Sequence, residues 1–404
     1  MEQHTISFII PSHNNLRHLK NAYKSIEKHA PNCEVILLDD GSTDGTWEWI
    51  WELAEAHHHR EVKCYRSLDR VGHTILYDKG IELATSEIVG ILHADMIIGP
   101  NYVENILKHL LPNKVVCATR VEPPLHPVGK EKILMNFGLD FDSLNIGEFE
   151  KFCDQKQIEF KDQTTKGMFA PWVLYKKDFQ SMGGHDPLFA PFPIEDSDIF
   201  ERWILSGYEL IQSRDAFVYH LTCRGHRWTE QIGKDDEFYK AANSRAIRNY
   251  VRKWNSGIKN DEYQHPIVSP KYNIAFVVDK CNSQFLEILE LWCDKIYIDD
   301  EMQVLTSHYI DQEQKNTLFD LNKRIFDKKY NDPFSGNDII VEFDCTKITN
   351  SSFEIISNLS DIIKQSGSIG TFELDIFKIT INALTEYQYK LRTLSDEYYT
   401  SKLI

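Results

Sequence analysis

The sequence predicts an α/β fold: a mostly parallel central sheet with helices on both faces, followed by a smaller α/β domain. Short apolar segments alternate with segments of helical periodicity through the first 120 residues or so, the signature of strand–helix–strand units with parallel strands. Residues 88–92 are apolar or glycine throughout, as a strand covered on both faces must be. The strand candidates end in acidic or histidine-bearing turns, and open α/β sheets bind ligands at the carboxyl ends of their strands.

Residues 5–11 read as a first strand stopped by Pro11, whose missing N–H cannot serve a central ladder. After the polar loop Ser12, His13, Asn14 and Asn15, a helix to His29 places Leu16, Leu19, Tyr23 and Ile26 on one side. A second strand, residues 34–38, runs into Asp39, Asp40, Gly41, Ser42, Thr43, Asp44 and Gly45. The next helix is expected to face the sheet with Trp47, Ile50, Trp51 and Ala54. His57, His58 and His59 follow; consecutive helical residues point in different directions, so they read as a solvated helix end and not a metal site. A strand at 62–65, a loop through Arg70 and Gly72 and a helix to Leu83 lead to the central stretch 88–98, whose apolar strand pattern breaks at His93, Ala94 and Asp95, so that Asp95 stands at the strand's carboxyl end. Asp95 reads either as a cap on the next helix or as a hard oxygen ligand for a divalent cation, Mn or Mg. A helix at 101–111 and a strand at 114–119 complete the alternation, which brings Pro11, His13, Asp39 and Asp95 to one edge.

Residues 122–166 open with Pro123, Pro124 and Pro127 and resist a reading; a strand leading into a short helix at 171–179 and a turn at Gly183 and Gly184 follow. Of the acids at 195–198, Asp198 has Arg202 four residues on and is accounted for by that pairing. Asp196 has Ile199, Phe200 and Trp203 one turn on, so it is expected beside a partly dry pocket, where a raised pKa suits a general base. His220 ends the apolar run 216–219 and, as a lone strand-end histidine, reads as a structural one. The segment 222–233, with Arg224, Gly225, His226, Arg227 and Trp228, reads as a lid over a diphosphate or as an exposed basic loop.

A helix at 234–254 ends the first domain (1–254), and Gly257, Pro266 and Pro270 mark residues 255–270 as a linker. In 271–404, strand candidates at 274–278, 295–298, 338–343 and 369–374 alternate with helix candidates at 283–293, 311–328 and 352–365, a small α/β domain of unknown role without a recognisable catalytic motif.

The 404 residues are enough for two cored domains, and 45 Lys plus Arg against 61 Asp plus Glu give a formal charge of -16. Such a field opposes nonspecific binding to nucleic acid or anionic membranes. Eight scattered cysteines fit reduced thiols, and neither a basic leader nor a run of 18 apolar residues occurs, so a cytoplasmic chain without a transmembrane segment is expected.

Four segments then carry a resemblance: FIIPSHNN, VILLDDGSTDGT, GIELATSEIVGILHADM, and GGHDPLFAPFPIEDSDIFERWILSGYEL followed by VYHLTCRGH. In order and spacing they resemble the inverting glycosyltransferases of family two, with the A-type (nucleotide-diphospho-sugar transferase) fold, through roughly the first 230 residues. The resemblance implies a metal-dependent hexosyltransferase moving a sugar from a nucleoside diphosphate, UDP-linked, to a hydroxyl acceptor in glycan or surface polysaccharide synthesis. It implies that Pro11 and His13 lie along the base, that Asp39 bonds base or ribose, and that Arg70 lies near the phosphates. Asp95 is the last acid of the family's Asp-x-Asp metal motif and His93 replaces the first; Tyr77 and Asp78 stand where relatives often carry Arg-Asn. His220 becomes a second metal ligand, Asp196 the base and Glu195 an acceptor-orienting residue. The alternative is a weakened or inactive relative that binds carbohydrate or acts as a scaffold. The C-terminal domain is a candidate site for acceptor, partner or self-association.

Overall fold

A computed structural model describes residues 5–56, 62–229, 231–300 and 303–387, so His57, His58 and His59 lie outside the described residues. The chain divides into two compact units, the first comprising Met1–Asn243 with Asn260–Ile267, the second Ser244–Lys259 with Val268–Tyr389. The division falls within a helix, and part of the segment expected as a linker belongs to the first unit.

In the first unit the elements run β1 (Ser7–Ser12), α1 (Leu16–His29), β2 (Glu34–Asp40), α2 (Thr46–Glu55), β3 (Val62–Ser67), α3 (His73–Leu83), β4 (Ile88–Ile91), β5 (Met96–Ile98), α4 (Tyr102–Leu107) and β6 (Lys114–Glu122). They continue through β7 (Lys132–Leu134), α5 (Ile146–Glu159), β8 (Thr164–Thr165), β9 (Trp172–Tyr175), α6 (Lys176–Ser181), α7 (Glu195–Leu205) and β10 (Glu209–His220). Helix α8 (Glu237–Trp254) follows. The main sheet has the order β3-β2-β1-β4-β9-β6-β10-β5, with β7 beside β6 and β8 beside β10. Alternate residues of β1 feed two cores: Phe8 and Ile10 pack with Leu19, Tyr23 and Ile26 of α1, while Ile9 packs with α3 and with Ile199 and Trp203 of α7. Both faces are thus covered, which is why the strands are apolar throughout.

The sheet is more mixed than expected. β3, β2, β1 and β4 are parallel, but β9 runs antiparallel to both β4 and β6, and β5 antiparallel to β10. The central strand ends before His93, as expected: β4 stops at Ile91 and the chain turns at His93 with Met96 N–H donating to His93 O, after which a second short strand, β5, pairs with the end of β10. Pro11 does not stop β1, which pairs with β2 as far as Ser12. The Ile9 carbonyl faces Leu92 on the β4 side; backbone groups two residues on point the same way, so the missing N–H of Pro11 faces a flank that β4 has already left. On α2 Trp47, Trp49, Ile50 and Leu53 pack on the core: Trp47 and Ile50 lie on the expected face, whereas Trp51 is half exposed and Trp49, edge-on to Tyr23 at 5.8 Å, packs in its stead.

The second unit forms a smaller sheet, order β13-β12-β11-β14-β16-β15, from β11 (Ile274–Asp279), β12 (Lys295–Ile298), β13 (Ile325–Asp327), β14 (Ile339–Asp344), β15 (Gly370–Leu374) and β16 (Phe377–Ile381). Its helices are α9 (Ser283–Leu289), α10 (Val304–Glu313), α11 (Asn350–Ser357) and α12 (Leu359–Ser366). The expected helix at 311–328 is instead the end of α10, 3-10 turns and β13; Asp320 accepts from Asn322 N–H and starts the last of those turns. The expected helix at 352–365 is split at Asn358, and β16 was not foreseen. No helix among the described residues is long and apolar enough to cross a membrane.

A buried ion network braces this unit. Arg252 and Arg324 flank the fully buried Glu290 at 2.9 and 2.5 Å, and Arg252 also meets Glu313. Removing one member leaves uncompensated charge in a dry interior. Glu290→Gln is expected to lower the stability of the second unit by about 3–5 kcal/mol, measured as a shift of its denaturant midpoint; an unmoved midpoint would show that the network is dispensable.

Candidate functional site

The carboxyl ends of β1, β2, β6 and β10 and the start of α7 open on one cavity of about 570 Å³. Pro11, His13, Arg70, His93, Asp95, Glu195, Asp196 and His220 all line it. Asp39 does not: it is fully buried, accepting from Ser42 N–H at 3.2 Å and facing Arg66 Nε at 3.2 Å. Its neighbour Asp40 points the other way, lines the cavity, and accepts from the backbone N–H of Val71 (2.7 Å) and Gly72 (3.0 Å). Asp40 thus ties the β3–α3 loop to β2, while Asp44 takes the Thr46 N–H at the start of α2.

His93, Asp95 and His220 each offer a ligand atom, all within 4.8 Å of one another. β5 pairs with the last residues of β10, which sets His220 Nε2 3.6 Å from Asp95 Oδ1. Asp95 does not cap a helix: the next element is β5, and α4 starts after Asn101. Its Oδ2 instead accepts from Arg224 N–H at 3.1 Å, anchoring the segment after β10. His220 Nδ1 lies 2.9 Å from Glu122 Oε1. Placing the proton on Nδ1 leaves the Nε2 lone pair toward His93 and Asp95, the arrangement by which a carboxylate orients a metal-binding imidazole. Burial pushes the Glu122 carboxyl up, but Arg120, His220 and Lys132 outweigh it and hold the pKa far below the carboxylate range. Burial, with the neighbouring His220, His73 and His226, keeps the His93 imidazole neutral. The donor set therefore fits a divalent cation.

Across the cavity, α7 begins at Glu195 after Ile194, a β-branched residue held at φ 84°. Such a backbone is costly and persists only where its surroundings enforce it. Glu195 Oε1 meets His73 Nε2 at 2.7 Å. Burial opposes charge on both, but the pair outweighs it, lowering the Glu195 pKa and raising that of His73. Asp196 has no such partner. Burial and the Glu195 charge push its pKa up to about 7, and its Oδ1 is buried without a hydrogen-bond partner among the described residues. Asp198 is turned away onto Arg202 at 2.8 Å, as expected.

Cationic groups complete the walls. Arg70 Nε and Arg224 Nε and Nη1 are buried without hydrogen-bond partners among the described residues. Arg224, Gly225, His226 and Arg227, from the segment expected as lid or loop, line the cavity and are not freely exposed.

His73, Glu122, Arg120 and Glu131 are site residues that the sequence reading missed. Glu122 was within reach of the rule that singled out Asp95, since it ends an apolar strand at the same edge. Gly72, at φ +87°, brings His73 close: a Cβ there would lie 2.2 Å from Pro191, whose carbonyl accepts from Thr74. Gly72→Ala is expected to cost about 2–4 kcal/mol through strain and overlap, read as a lower melting temperature of the first unit; an unchanged melt would show that the loop yields freely.

Residues 7–178 match the sequence model of Glycosyl transferase family 2. A validoxylamine A glucosyltransferase of Streptomyces hygroscopicus subsp. jinggangensis (strain 5008) is 24% identical over 232 residues, 52% of this chain and 54% of that protein. The chain spans about half the length of the curated relatives it matches first. Among solved structures, GalNAc-T7 with UDP, GalNAc and Mn2+ aligns over 65% of this chain and 49% of its own at 16% identity and a TM-score of 0.45. A mannosyltransferase from Pyrobaculum calidifontis in complex with GDP-Man and Mn2+ aligns over 63% and 64% at 17% identity and a TM-score of 0.42. The likeness to glycosyl transferase family 2 thus covers residues 7–178.

Proposed function

We propose that this chain transfers a hexosyl group from a nucleoside diphosphate sugar, UDP-linked, to an acceptor hydroxyl with inversion at the anomeric carbon. The observation that carries the reading is that one cavity holds the His93, Asp95 and His220 donor set and also Asp196, whose Oδ1 is buried without a hydrogen-bond partner among the described residues. Pro11 and His13 line the end for the base, over the turn that Asp39 holds. The free N–H groups of Arg70 and Arg224 suit diphosphate oxygens. His93, Asp95 and His220 would hold the cation; two imidazoles with one carboxylate suit Mn better than Mg, which prefers oxygen ligands. When bound, that cation neutralises charge on the departing diphosphate. Asp196 accepts the proton of the acceptor hydroxyl as its oxygen bonds to the anomeric carbon and the bond to the diphosphate breaks on the opposite face. Glu195, fixed by His73, orients the acceptor. The eight free thiols suit a reaction in the cytoplasm.

Four measurements test this. Across a panel of UDP and GDP sugars, Mn2+-dependent release of nucleoside diphosphate is expected for at least one donor; binding without turnover would favour the scaffold reading that His93 invites. Asp196→Asn is expected to lower kcat by about 10²–10⁴-fold, and unchanged transfer would rule it out as the base. For a base that must be ionised, kcat/KM should rise with pH through an acid limb near 7; a flat profile from pH 5 to 8 contradicts the assignment. Glu122→Gln is expected to weaken Mn2+ binding by about 10–100-fold in calorimetric titration, and unchanged affinity would remove His220 from the ligand set.

A further inference from the structure

We propose that Glu131, with Phe169, forms the acceptor subsite of this cavity and binds the ring hydroxyls of a neutral sugar. The inference rests on the transferase reading above and assigns its acceptor class. Glu131 is 3% exposed, yet its side chain lines the cavity, and its Oε2 has no hydrogen-bond partner among the described residues. Its other oxygen is taken, with Arg120 Nη2 at 3.2 Å. Buried carboxylate oxygens are nearly always satisfied, so an unmet one at a cavity wall marks where a ligand donor belongs.

The residue is held in place from several sides. Its backbone carbonyl accepts from Gln212 Nε2 of β10 at 2.6 Å, and Gln212 is itself bonded to Thr165. A Cβ on Gly129 would sit 2.0 Å from Glu131 Oε2, so glycine there makes room for the carboxylate. The backbone N–H groups of Lys130 and Met168 donate to the carbonyls of Glu262 and Tyr263, clamping both sides of the wall to residues 260–267, whose Gln264 also lines the cavity. A wall fixed this way holds the Glu131 side chain in one place before any ligand arrives, and a donor reaches Oε2 by local movement of the Gly129 backbone that covers it.

Charge and position select the ligand. Arg120 and Lys132 are matched by Glu122 and Glu131, so the wall has no excess charge for an ionic group and asks for a neutral donor, an O–H. Phe169 supplies apolar ring surface beside it, with the Arg120 guanidinium 3.7 Å from the ring centroid. Hydroxyl acceptor plus aromatic edge suits a sugar, which offers O–H donors around an apolar C–H face. Glu131 precedes β7, which lies beside β6, whereas Pro11 and Asp40 belong to β1 and β2 on the other side of β4 and β9. The subsite is therefore at the end of the cavity away from the base, and a nucleotide seated at Pro11 leaves it for the acceptor.

The test uses the full chain with Mn2+, the donor that shows turnover, and a panel of glucose, N-acetylglucosamine, maltose, glucosamine and glucuronate as acceptors. Transfer is expected to a neutral member. Glu131→Gln should raise the KM for that acceptor by about 10–100-fold, the loss of a charge-assisted hydrogen bond, with the Kd for nucleotide and for Mn2+ within twofold of the parent. Phe169→Leu, which keeps apolar bulk, should raise the same KM, and thermal melts confirm that both variants fold. Unchanged acceptor KM in Glu131→Gln overturns the subsite, as does a change in Mn2+ affinity in place of acceptor KM, which would make Glu131 a support for Arg120. Preference for glucosamine or glucuronate, or turnover of donor without transfer to any panel member, overturns the neutral-sugar assignment while leaving the transferase reading intact. Absence of Mn2+-dependent nucleotide binding in the parent overturns the transferase reading itself, and this subsite with it.

Discussion

The short contact between His220 and Glu122 is the constraint from which the site is built. Neither residue can be moved alone: Glu122 ends β6 and His220 ends β10, and these strands pair in parallel with Val218 opposite Arg120 and Tyr219 opposite Val121. β5 pairs with the same end of β10, Met96 opposite His220, which fixes Asp95 one residue before it. Slipping either ladder by one residue would turn the affected side chains to the other face. The register that buries Val218 and Ile98 in the apolar core is thus the register that assembles the polar cluster at its rim.

A dry cavity lined by carboxylates is unstable unless its charges are apportioned. Glu195 and Asp196 are adjacent, both face the cavity, and both lose hydration there. His73 decides between them, because its imidazole reaches only Glu195. That carboxylate stays ionised at the expense of its neighbour, and two like residues acquire different protonation behaviour, the condition under which one can orient and the other can take a proton. The left-handed backbone of Ile194 immediately precedes this pair, at the start of α7.

Much of this was legible in the sequence because strand ends announce themselves. Apolar runs stopping at His93–Asp95, at Asp39–Asp40 and at His220 locate the functional edge by composition alone, and the Asp198–Arg202 pair could be set aside by helical spacing. What stayed hidden depended on partners distant in the chain. The neighbour of Glu131 is Arg120 and the neighbour of Glu195 is His73, 122 residues earlier; no local pattern encodes such pairs. Strand direction was hidden for the same reason. An apolar run looks alike in either sense, so the antiparallel β9 between β4 and β6 could not be told from a parallel strand. Asp39 and Asp40 show the limit most plainly, since a strand places adjacent side chains on opposite faces and only register decides which one meets the cavity.

The replacement of an acid by His93 has an electrostatic meaning once the surroundings are fixed. With two acidic ligands the charge of a divalent cation would be cancelled before any substrate arrived. Here Asp95 is the single carboxylate among the three candidate ligands, and the nearby Glu122 is already matched by Arg120 and Lys132. A cation held by this set would therefore keep an uncompensated positive charge. In the transfer reaction proposed above, one anionic ligand fewer would weaken the hold on a metal and leave more of its field for a diphosphate, so that metal and nucleotide would bind interdependently.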